Sequence, residues 1–77
     1  MKNQIIEILN GIRPEFDFGA ETNFISQGML DSFDLITLVT ELDESFKISI
    51  DGTDILPENF ETVDAIEALL KKNGATE

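Results

Sequence analysis

The chain contains no histidine and no cysteine. The first absence removes the commonest general base near neutral pH and the commonest transition-metal ligand. The second removes any thiolate nucleophile, zinc–thiolate site or disulfide, so the core must hold without covalent staples, as suits a reducing cytoplasm. Independent catalysis is disfavoured on both counts. Basic residues are scarce as well, five Lys and Arg against sixteen Asp and Glu. The formal charge of −11 repels nucleic acid and anionic membrane surfaces and favours partners rich in Lys and Arg. No apolar run approaches the roughly 18 residues of a membrane-spanning helix. The amino terminus, its apolar residues interrupted by Glu7, lacks the pattern of a secretory signal. No membrane insertion is expected.

What remains is enough for one small domain. Seventy-seven residues make a single unit, residues 1–77 with a core over about 2–72, and a chain this short buries only about 60% of the surface its unfolded form exposes. A deep enclosed active site does not fit into so little core. Hydrophobic residues make up 42% of the chain, which separates it from disordered acidic tails. A cytoplasmic, monomeric, all-α protein is the expectation.

The helical pattern is legible. Ile5, Ile8, Leu9 and Ile12 align on one side of a helix over residues 2–13, whose last turn is weakened by Gly11 and which Pro14 stops. Residues 14–28 read as a long loop with apolar anchors at Phe16, Phe18, Phe24 and Ile25. From Asp31 to Phe46, the spacing of Leu35, Leu38, Val39, Leu42 and Phe46 predicts a second amphipathic helix, with Asp31 or Ser32 as its N-cap and Asp34 in the first turn. Ile48-Ser49-Ile50 reads as an extended connector and Asp51-Gly52-Thr53-Asp54 as a turn. A short helical turn from Pro57 to Phe60 leaves Ile55, Leu56 and Phe60 to cover the core. A last helix, capped by Thr62, runs to about Lys72 before Gly74 ends it. Three main helices plus one short one make a small bundle. Leu38, Val39, Leu42, Phe46, Ile50, Phe60, Val63 and Ile66 are expected to pack together.

One stretch stands apart. Gly28-Met29-Leu30-Asp31-Ser32-Phe33-Asp34 places a serine where a loop becomes a helix, between carboxylates and after a flexible glycine and an apolar pair. Alone, Ser32 reads as a capping residue. A helix N-terminus also presents free amides and a positive dipole end, which would stabilise a phosphodiester on the serine oxygen. Nothing else in the chain lets Ser32 act as a nucleophile unaided, so its chemistry falls to another protein.

Leu30-Asp31-Ser32-Phe33-Asp34, followed by Leu38-Val39, Leu42-Asp43-Glu44-Ser45-Phe46, Ile48-Ser49-Ile50 and Pro57-Glu58-Asn59-Phe60-Glu61-Thr62-Val63-Asp64-Ala65-Ile66, resembles the acyl carrier protein family, including its aminoacyl and D-alanyl members. The likeness covers residues 24–72, and the first helix fits by position and pattern. The resemblance implies that Ser32 carries 4′-phosphopantetheine, a long arm whose terminal thiol holds acyl or aminoacyl groups as thioesters, which reconciles the chain with having no cysteine of its own. It further implies a phosphopantetheinyl transferase that installs the arm from coenzyme A. An adenylating ligase or acyltransferase, and a synthase or condensing enzyme, would dock through basic patches. Asp31, Asp34, Asp43 and Glu44 are the candidate docking acids, and Phe33 and Ile36 candidate apolar contacts beside the serine.

Three departures bear on the role. Phe33 replaces the commonest leucine of carriers in fatty acid synthesis, Thr37 and Thr40 replace an acidic and a larger apolar residue, and the stretch between Ile50 and Thr62 is longer. They favour a specialised carrier. The alternative from another class is a non-covalent acidic module that captures a basic partner, for which Ser32 would be dispensable. Asp51-Gly52 does not make a calcium loop, because aligning its glycine puts Lys47 and Ser49 at the first ligand positions.

Overall fold

The first helix stops where its backbone runs out of partners. In the computed structural model, which describes residues 1–19 and 23–75, α1 spans Lys2–Ile12. Ile5 and Leu9, one turn apart, are fully buried, and Ile8 and Ile12 pack at the core's edge. Arg13 leaves helical geometry while its N–H still reaches the Leu9 carbonyl at 2.9 Å, and Pro14 follows.

The second helix, α2, spans Ser32–Phe46 and buries Leu35, Leu38 and Leu42. It ends at Lys47 in the left-handed conformation (φ 56°), and the N–H groups of Lys47 and Ile48 both return to the Asp43 carbonyl. The Asp43 side chain then accepts the Ile50 N–H at 3.0 Å, which draws the extended connector back toward the helix.

Two 3-10 turns follow, Gly52–Asp54 and Pro57–Phe60. The first lies where only a turn is legible in the sequence, and the Asp51 carboxylate caps it by accepting the Thr53 N–H at 3.0 Å. Phe60 reaches the core, but Leu56, expected to cover it, stays 43% exposed. It lies between the two short turns, where Asn59 donates to the Asp54 carbonyl at 2.7 Å. The last helix, α3, spans Val63–Lys72 under the Thr62 cap, whose hydroxyl accepts the Ala65 N–H at 3.0 Å. It buries Ile66, Leu69 and Leu70.

Helix α1 packs on both α2 and α3, and α3 packs on the Pro57–Phe60 turn. The bundle is all-α, with no strand among the described residues. The core differs in emphasis from the one expected. Val39, Phe46 and Val63 lie at its edge, whereas Phe18 and Phe24 from the long loop, and Met29 and Leu30 just after it, are buried at its centre. The Phe18 ring meets Phe24 edge to face at 4.9 Å between centroids, with Phe16 stacked edge to face behind it at 6.2 Å. A loop can enter the core only if its backbone polar groups are satisfied. Glu61 does this: its carboxylate accepts the Ile25 N–H at 2.8 Å, the Ser26 N–H at 3.1 Å and the Ser26 hydroxyl at 2.6 Å, and its carbonyl accepts the Phe24 N–H. The part of this loop at residues 20–22 lies outside the described residues.

Candidate functional site

The approach to Ser32 is built on Phe24. The N–H groups of Met29 and Leu30 both point to the Phe24 carbonyl, at 2.8 and 3.3 Å, which folds the chain back and sets both side chains in the core. Gly28, a flexible point in the sequence, instead holds a defined left-handed turn at φ 75°, its N–H on the Ile25 carbonyl. Two anchored apolar residues thus stop one step short of the serine.

Asp31 then caps α2. Its Oδ1 accepts the Asp34 N–H at 2.9 Å, and Asp34 Oδ2 accepts the Asp31 N–H at 3.1 Å, a reciprocal capping box. Of the two residues able to cap the helix, Asp31 does so, and Ser32 becomes the first helical residue, exposed to solvent. Its hydroxyl is not spent on closing the helix. The amides and positive dipole end of a 15-residue helix lie beside it.

Arg13, at the far end of α1, completes the site. Its Nε donates to Asp34 Oδ2 at 2.8 Å, Nη2 to Asp31 Oδ2 at 3.3 Å and Nη1 to Glu15 Oε2 at 3.4 Å. The Asp34 N–H and then the Arg13 charge hold the Asp31 carboxyl below the usual carboxylate range. The reach of Arg13 to the head of α2 carries no local signal in the sequence, because Asp31 and Asp34 stand 18 and 21 residues away.

The remaining candidates divide. Phe33 and Ile36 are 81% and 65% exposed, so neither completes the core. Glu44 is exposed. Asp34 and Asp43 are partly withdrawn, Asp34 into the capping box and the Arg13 contact, Asp43 onto the Ile50 N–H. Thr37 and Thr40 are exposed on α2, and the Thr40 hydroxyl returns to the Ile36 carbonyl at 3.1 Å. An open groove of about 630 Å³ runs between α1 and α2, walled by Ile8, Gly11, Ile12 and Thr37 with Glu7, Asp34 and Glu41; Ser32 is not among its walls.

A family model for the phosphopantetheine attachment site matches residues 2–70. The chain belongs to that family. It is a carrier domain of the acyl carrier type, a carrier and not a catalyst, and such domains bear a covalently attached 4′-phosphopantetheine. The match takes in α1 as well as the α2 motif. Comparison with curated proteins and with solved structures gave no match. The head of α2 fits the prosthetic group of a carrier domain: an exposed hydroxyl not used as a cap, at the positive end of a helix dipole, with a guanidinium offsetting the neighbouring carboxylates.

Proposed function

We propose that this carrier domain holds acyl or aminoacyl intermediates as thioesters on a 4′-phosphopantetheine arm attached at Ser32, and presents them to partner enzymes. The observation that carries the assignment to Ser32 is the division of labour at the head of α2, where Asp31 makes the cap and the exposed serine is left for chemistry. The arm, once attached, supplies the thiol that the chain lacks. The chain's own part is to keep the hydroxyl exposed, hold its backbone in the first helical turn, and place acids and apolar side chains around it for partners to read.

Those partners are a phosphopantetheinyl transferase, a loading adenylating ligase or acyltransferase, and a synthase or condensing enzyme. The docking set is Asp31, Phe33, Asp34, Ile36, Asp43 and Glu44, with the exposed Asp31, Phe33, Ile36 and Glu44 the most available to a partner surface. The chain acts in a specialised pathway, a reading supported by Phe33, Thr37 and Thr40 on the exposed face of α2, and as a cytoplasmic monomer, the cytoplasm being in keeping with the absence of cysteine. Intact mass spectrometry after incubation with coenzyme A and a broad-specificity transferase tests the site: the wild type gains the arm and Ser32→Ala does not. A Ser32→Ala chain that is still modified, with peptide mapping to another residue, sinks the assignment.

A further inference from the structure

We infer that Arg13 is the resting partner of Asp31, and that a basic partner enzyme docks beside Ser32 by exchanging its own cationic side chain for the Arg13 contact on that one carboxylate. The inference rests on the carrier reading above and adds which acid is exchanged and what it is exchanged from.

The geometry separates two acids that look equivalent in the sequence. Asp34 is committed to the fold: its side chain is 14% exposed, and its Oδ2 accepts both the Arg13 Nε at 2.8 Å and the Asp31 N–H at 3.1 Å. Asp31 is 57% exposed, and its contact with Arg13 Nη2 is longer, 3.3 Å. Its Oδ1 stays on the Asp34 N–H, so Oδ2 can change partner without opening the cap. The guanidinium fork allows the same on the other side, since Nε can remain on Asp34 while Nη2 lets go. The remaining Arg13 contact, Nη1 to Glu15, is exposed and long. An incoming cation at Asp31 therefore competes with a weak intrachain pair, and the capping box that sets Ser32 is untouched by the exchange.

An exposed pair of this kind weakens a competing encounter by about two- to fivefold. Arg13→Lys removes the fork while its single ammonium can still reach Asp34. With a basic phosphopantetheinyl transferase and coenzyme A at low ionic strength, Arg13→Lys is expected to lower the KM for the carrier about two- to fivefold. The difference should close at high salt. In an Asp31→Asn background, where the cap survives but the charge is gone, the same substitution should change nothing. An unchanged or raised KM, or an equal fall in the Asp31→Asn background, overturns the inference. A merely structural Arg13 would move the melting temperature and not this salt-dependent KM. A second measurement needs no variant: on titrating the wild type with transferase, the carboxyl carbon of Asp31 should shift and that of Asp34 should not, and the reverse pattern overturns the exchange. A wild type that gains no arm overturns the carrier reading and the inference with it, whereas modification with an unaffected KM overturns the inference alone.

Discussion

The two ends of α2 are closed by different means. At the C-terminal end, Lys47 turns left-handed, the Lys47 and Ile48 amides return to the Asp43 carbonyl, and the Asp43 side chain takes the Ile50 N–H; every partner lies within seven residues. At the N-terminal end, the capping box is local, but Arg13 reaches it from 18 and 21 residues away, and Met29 and Leu30 hang on Phe24, itself held by Glu61. A helix can stop by local geometry alone. Presenting a serine at a fixed place requires the rest of the domain, so Ser32 is offered in that geometry only by the folded chain.

The largest test of this contrast is Phe24→Ala. It empties a fully buried ring position and loosens the packing that fixes the Phe24 backbone, whose carbonyl the Met29 and Leu30 amides still share. A loss of about 3–5 kcal/mol is expected in urea unfolding, a large part of a small domain's stability. A loss below about 1 kcal/mol, with modification at Ser32 unimpaired, would show that the head of α2 is also a local structure.

A middle-sized effect should come from Asp31→Ala, which removes the cap and the exchangeable contact together. The melting temperature should fall by a few degrees at neutral pH, less than for Phe24→Ala. The effect carries a pH signature. The Asp34 N–H and then Arg13 depress the Asp31 carboxyl in the folded state, so its contribution is complete above the unfolded carboxylate pKa, about 4, and disappears as pH falls through the lower folded value. Glu61, depressed first by the Ser26 hydroxyl and then by the Ser26 and Ile25 amides, has the same sign. Urea midpoints measured from pH 7 down to pH 2 should therefore converge for wild type and Asp31→Ala at the acid end. A gap that stays constant with pH would detach the cap from the carboxylate charge.

The smallest effect is expected at the other end. Lys47→Gly relieves a side chain of its left-handed backbone but adds freedom to the unfolded chain. The net gain in stability should be under about 1 kcal/mol, and the rate of phosphopantetheinylation should not change. A changed rate would mean that the two ends of α2 communicate.

How much of this could be read in advance depends on the range of the forces involved. The limits of α2, the Thr62 cap and the Pro57 turn were legible because each is set by neighbours in sequence. Phe16, Phe18, Phe24 and Ile25 were legible as apolar anchors of the loop, but how deeply each sits was not, since they carry no helical period and the Ile25 and Ser26 amides are satisfied by Glu61, 36 and 35 residues away. Asp34 looked like a free docking acid because nothing within its own helix announces the guanidinium that holds it. The exposure of Phe33 and Ile36 likewise could not be told from a place at the core's edge by spacing alone.

By itself the sequence determined that the chain is helical, lacks His and Cys, and has a serine at the head of its second helix, since composition and short-range periodicity act without a fold. Only the tertiary structure decided that Arg13 divides its fork between two acids, and that Phe18 and Phe24 of the aromatic loop sit at the centre of the core. The reason is physical. Those outcomes depend on which distant donors and apolar surfaces meet once the chain is compact, and no local pattern encodes such a meeting.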